Sequence, residues 1–225
     1  METKRRIVGE FIGTGMLLAT VVGSGIMAER LAGGNAAIAL LANTVATGAV
    51  LFALILSLSG VSGAHFNPAV TLTEILSKNI SVPYGLAYFA AQFAGATAGV
   101  VLANAMFELP LVFASQKART GPAQWLSEFI ATFGLILVIA ATVRIKSRFA
   151  VPLAVAAYIS AAYWFTASTS FANPAVTFAR SLSDTFAGIR PVDVPAFMAV
   201  QFVGAISAMY LSKWLFFQTE IEDHD

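Results

Sequence analysis

The pentapeptide Asn-Pro-Ala-Val-Thr occurs twice, at 67–71 and at 173–177, each time inside a stretch without a formal charge. Asn caps a helix through its side-chain oxygen, and Pro is tolerated at the first helical position because its missing N–H has no partner there in any case. Each copy therefore marks the N-terminus of a helix. A helix that begins within an apolar stretch leaves backbone polar groups at membrane depth, which is acceptable only where protein buries them or a wet cavity receives them. Two such starts in one chain predict a pore.

The surrounding sequence supports a membrane setting, with 58% hydrophobic and 11% charged residues among 225 and a mean hydropathy of +0.78. Charge-free runs cover 11–28, 31–73, 79–107, 129–143, 149–179 and 194–212, and about 20 apolar residues cross a ~30 Å hydrocarbon core. Six spans are predicted near 7–28, 36–58, 84–106, 125–144, 150–168 and 195–217. Lys4, Arg5 and Arg6 precede a full-length span with no small-residue cleavage site apart from it, so the first helix is expected to be retained. The run 31–73 is too long for one span. Its small-residue stretch Gly60, Ser62, Gly63, Ala64 and His65 leads into Asn67 and a short helix to about Ser77, and Thr166, Ser168, Thr169 and Ser170 lead likewise into Asn173 and a helix to about Ser183. Ten residues rise only ~15 Å, half a membrane. The fold class expected is an all-α membrane protein of six transmembrane helices plus two re-entrant half-helices.

The two halves match beyond the motif. Gly-Glu-Phe-Ile-Gly-Thr at 9–14 answers Ser-Glu-Phe-Ile-Ala-Thr at 127–132, and Gln-Phe-Ala-Gly at 92–95 answers Gln-Phe-Val-Gly at 201–204. One domain over 1–225 is expected, built from repeats at 1–110 and 120–220. Three spans per repeat is an odd number, so the repeats enter the membrane in opposite senses and are related by a pseudo-twofold axis in its plane. The half-helices then dip from opposite sides and their N-termini meet near the midplane, where Asn amides and helix-end partial charges favour neutral polar solutes and oppose cations. Passive permeation without turnover follows.

Other classes find little support. With two His and no Cys, neither a nucleophile–base–orienter set nor a metal-ligand cluster can be assembled, so no enzyme, metal site or cofactor is expected. Basic residues are too scattered for nucleic acid. With the N-terminus inside, the cytoplasmic side collects Lys4, Arg5, Arg6, Lys78, Arg144, Lys146, Arg148 and Lys213, and the outer side Arg30, Lys117, Arg119, Arg180 and Arg190. That bias predicts both termini in the cytoplasm of a cell-membrane protein.

Paired Asn-Pro-Ala motifs, Glu10 and Glu128 near the starts of the first and fourth spans, Gln-Phe-x-Gly in the third and sixth, and Ser-Gly-Ala-His at 62–65 together resemble the aquaporin and aquaglyceroporin (major intrinsic protein) family over nearly the whole chain. The resemblance implies a pore in each subunit of a homotetramer. It also implies that Asn67, Pro68 and Ala69 with Asn173, Pro174 and Ala175 form the pore centre, that Glu10 and Glu128 support the re-entrant loops, and that His65 lines the pore. Most of the family places an Arg directly after the second motif; here that residue is Val176. Family spacing assigns the other filter positions to Thr47, Ala161 and Ser170, giving a wide filter with few donors.

Arg180 follows Val176 by one helical turn. Two readings stand: a displaced cation in the outer vestibule, or a surface Arg paired with Asp184. An arginine-free filter, with Val-Gly-Ser-Gly-Ile-Met-Ala-Glu-Arg at 22–30 and Thr-Gly-Pro-Ala-Gln-Trp at 120–125, resembles the bacterial branch associated with arsenic efflux. This implies passage of neutral solutes such as arsenite-type acids, methylated arsenicals and polyols. A water or glycerol facilitator and a poorly conducting structural or adhesion member of the fold are the alternatives.

Overall fold

The computed structural model describes residues 2–217, and all regular structure among them is helical. In chain order the helices are α1 (Glu2–Leu31), α2 (Ala36–Ser62), α3 (Pro68–Leu76), α4 (Val82–Met106), α5 (Pro122–Thr142), α6 (Ala150–Phe165), α7 (Pro174–Arg180) and α8 (Val194–Phe217), with a 3-10 turn at Pro191–Asp193. Five of them are long and apolar enough to cross a membrane, counting α8 with the 3-10 turn before it. The remaining span, α6, fifth in chain order, has 16 residues, a rise of ~24 Å. It stops short of the expected residue 168 because Thr166 turns extended and donates its hydroxyl back to Ala162 O at 2.7 Å. The short helices α3 and α7 are the two re-entrant half-helices. The second ends at Arg180, earlier than expected, where the Ser181 hydroxyl donates to Phe178 O.

Close backbone approach fixes the long helices in pairs. A Cβ added to Gly99 would meet Gly15 O, and one added to Gly95 would meet Phe11 O, so α1 and α4 touch through main chain. Gly204 does the same for α5 and α8, where an added Cβ would lie 2.6 Å from Phe129 O. In lipid, where apolar surface gains little from leaving one apolar medium for another, such small-residue contacts are what hold helices together.

These pairs bring one buried carboxylate of each half under a re-entrant loop. Glu10 on α1 accepts from Ser62 Oγ (2.7 Å), His65 N (3.0 Å), Phe66 N (2.7 Å) and Gln92 Nε2 (2.8 Å). Glu128 on α5 accepts from Phe171 N (2.9 Å), Ala172 N (2.9 Å) and Gln201 Nε2 (2.6 Å). The loops need this support, because Ala64, Phe66, Ser170 and Ala172 all have φ between 47° and 52°. For residues with a Cβ that conformation costs about 1–2 kcal/mol each. Charge-assisted bonds to buried N–H groups offset it.

Candidate pore and selectivity region

Asn67 and Asn173 cap the half-helices in the same way: Asn67 Oδ1 accepts from Ala69 N at 2.8 Å, and Asn173 Oδ1 from Ala175 N at 3.0 Å. Pro68 and Pro174 occupy the first helical positions, and Ala69 and Ala175 are fully buried behind them. The amide nitrogens cross between halves, Asn67 Nδ2 donating to Ala172 O and Asn173 Nδ2 to Phe66 O, both at 2.8 Å. A carboxamide has two N–H donors. One on each Asn is thus spent on the opposite loop, and the other remains for the cavity that both residues line.

That cavity, about 420 Å³ in volume, runs the length of the bundle, with Glu74, Ser147 and Arg148 at one mouth and Arg180 at the other. Most of its wall is aliphatic, from Leu17, Leu51, Leu135, Val155 and Ile159. His65 lines it between the first mouth and Asn67. Its Nδ1 lies 3.0 Å from Thr71 Oγ1 and its ring meets Tyr88 edge-on at 5.3 Å. A mostly apolar wall with a few fixed polar groups suits a solute that must enter and leave readily.

On the Arg180 side of the two Asn residues the cavity is lined by Thr47, Tyr163, Ser170, Phe171 and Val176. Thr47 Oγ1 and Tyr163 OH lie 3.2 Å apart. Ser170 Oγ is buried without a hydrogen-bond partner among the described residues. Val176, in the first turn of α7, is 5% exposed and contributes only methyl groups. Ala161 does not line the cavity: it lies on the exposed face of α6, whose cavity-facing row is Val151, Val155, Ile159 and Tyr163. Counting along the chain from Asn173 lands two residues from Tyr163, and a shift of two positions turns a helical side chain most of the way to the opposite face.

Arg180 lines the cavity and is 2% exposed. Its Nε donates to Ala187 O, and its guanidinium carbon lies 3.4 Å from the centre of the Phe171 ring. It does not pair with Asp184, whose Oδ1 accepts from Gln116 N at 2.9 Å. Among the described residues its terminal nitrogens have no protein acceptor. Arg119, which nothing in the sequence marks, stands beside it. Arg119 Nε donates to Gly188 O and Nη1 to Ser168 O, both at 2.8 Å, its backbone N donates to Asp193 Oδ2, and its guanidinium carbon is 4.9 Å from the Phe171 ring. Burial lowers its pKa to about 10, so it stays protonated near neutrality. Its partners lie 49 to 74 residues away in sequence, so no local pattern signals the role.

An all-helical bundle with paired half-helices around a continuous, sparsely polar cavity defines a transmembrane channel. A family model described as major intrinsic protein matches residues 1–170. The chain is 56% identical over 214 residues to the aquaglyceroporin AqpS of Rhizobium meliloti (strain 1021), covering 95% of this chain and 91% of that protein. It is 32% identical over 190 residues to a probable TIP-type aquaporin of Medicago truncatula, covering 79% and 74% respectively. The fold is similar to that in the X-ray structure of the aquaglyceroporin from Plasmodium falciparum, with a TM-score of 0.74, 19% identity, and 97% and 99% of the two chains covered. The chain belongs to the major intrinsic protein family, whose aquaporins are membrane channels and not enzymes.

Proposed function

We propose that this protein is a passive channel for small neutral solutes, passing polyols such as glycerol and metalloid acids such as arsenite through a filter relaxed by Val176. One observation carries the reading. The residue directly after the second Asn-Pro-Ala is an aliphatic one facing the cavity, while the nearest guanidinium, Arg180, is drawn against Phe171 and the Ala187 carbonyl. A Val in that place leaves more room than an Arg and no fixed charge. The 56% identity to a protein called an aquaglyceroporin agrees with a solute larger than water. The charge bias of the loops supports a cell-membrane protein with both termini cytoplasmic, which puts Arg180 at the outer mouth, and the family points to a homotetramer with one pore per subunit.

A second reading rests on Tyr163. Its bulky ring lines the same cavity as Val176, with its hydroxyl beside Thr47 Oγ1, which favours a water or glycerol facilitator that excludes bulkier acids. Stopped-flow light scattering of proteoliposomes in water, glycerol and arsenite gradients separates the two. Glycerol and arsenite permeabilities well above those of empty liposomes support the relaxed filter. Water flux without arsenite flux supports the second reading.

A further inference from the structure

A second cavity, of about 300 Å³, lies between α3, α5 and α8 at the end of the bundle where Glu74 and Arg148 line the pore mouth. Its deeper part is apolar, built from Ile136, Ala140 and Met209, and its rim carries Arg144 and Lys213. Arg144 lies two residues beyond the end of α5 and Lys213 four residues before the end of α8, near the level where spans leave the hydrocarbon. Tyr210 and Trp214, either side of Lys213 in sequence, are 66% and 64% exposed, and exposed aromatic residues of this kind settle at the headgroup boundary. The Arg144 guanidinium carbon is 5.7 Å from the centre of the Phe216 ring. Neither cation has a carboxylate partner among the described residues. The one acidic group in the lining, Glu74, is engaged through Oε2 by Asn79 Nδ2 at 2.8 Å.

Two cations without a carboxylate partner among the described residues, set over an apolar floor, match an amphiphile with an anionic head. We propose that this crevice binds an anionic phospholipid, with its phosphate between Arg144 and Lys213 and the start of an acyl chain on Ile136, Ala140 and Met209. Basic pockets between spans hold such headgroups because each Lys or Arg near the surface attracts the negative charge while the lipid tail keeps its apolar surroundings. The crevice borders the solute path, sharing Val70, Glu74, Ile139 and Val143 with its wall. Arg144 and Lys213 line only the crevice, so the lipid site does not depend on which solute the pore carries.

Native mass spectrometry of the full-length protein, titrated with phosphatidylglycerol and separately with phosphatidylcholine, tests this. The expected result is retention of phosphatidylglycerol over phosphatidylcholine, weakened about 30-fold by the double substitution Arg144→Gln/Lys213→Gln and unchanged by Lys4→Gln/Arg5→Gln at the first helix. Equal loss in both double variants, or no loss in either, overturns the assignment. So does retention that rises sharply when Glu220, Glu222, Asp223 and Asp225 are neutralised together, since the crevice would then belong to the chain's own acidic end. Full competition by glycerol phosphate would remove the acyl half of the site and with it the lipid.

Discussion

The guanidinium carbon of Arg180 lies 3.4 Å from the centre of the Phe171 ring, which ties the last residue of α7 to the loop that leads into the same half-helix. A cation over an aromatic face in a desolvated site is worth about 2 kcal/mol or more. Its Nε is also committed to Ala187 O. Arg180→Leu should therefore lower thermal stability, and by removing the terminal donors that face the cavity it should reduce glycerol flux several-fold while changing water flux little. Arg180→Lys keeps the charge but loses the planar stack, and should recover flux only in part. Proteoliposome shrinkage assays with a parallel melting curve check both.

The carboxylates under the loops are structural. Glu128→Gln replaces an acceptor of three N–H groups by an amide that must turn one donor towards another. The loss should be about 3 kcal/mol, as for charge-assisted bonds left unmet in a buried site. Glu10→Gln should behave alike, since Glu10 has four donors. Thermal unfolding in detergent, followed by circular dichroism, measures both.

Glycine positions separate packing from propensity. Gly99→Ala drives a Cβ into Gly15 O and should cost about 1–3 kcal/mol by forcing α1 and α4 apart. Gly60→Ala, on α2 with nothing within 4 Å of the added atom, should stabilise by about 0.5–1 kcal/mol. The same unfolding assay distinguishes the two signs.

Lys117 gives a pH dependence outside the spans. Burial, then the positive charges of Arg119 and Arg180, lower its pKa to about 8, although its Nζ donates to Phe186 O at 2.7 Å. A lysine whose folded pKa lies below its unfolded value of 10.5 holds fewer protons when folded, so its charging opposes folding below about pH 8 and this cost fades as pH rises to 10.5. The native melting temperature, relative to that of Lys117→Met, should rise across that window. A constant difference between the two proteins would contradict the shift.

How much of this was legible in the sequence depends on the range over which each residue acts. Asn67 and Asn173 cap helices two and three residues on, and the Pro and apolar context beside them fixes depth, so the half-helices could be read from local chemistry. Glu10 and Glu128 could be read because charges at span depth are rare enough to require partners. Ala161 and Tyr163 could not be separated, because the facing of α6 depends on how it packs against α2, and a filter position carried over by spacing inherits any difference in helix register. Arg119 and Phe171 were invisible for the same reason in stronger form. Their role arises only when the loop 107–121 folds over the half-helix from more than forty residues away.

In the proposed function Val176 sets the width of the path. Stopped-flow permeabilities of native protein and Val176→Arg in liposomes, measured for arsenite, glycerol and water at equal protein density, test it most directly. A channel whose filter is relaxed by Val176 should show high arsenite and glycerol flux in the native protein and strong suppression of both by the Arg, with water flux reduced less. Native flux confined to water, or arsenite and glycerol fluxes that the Arg leaves unchanged, would contradict it.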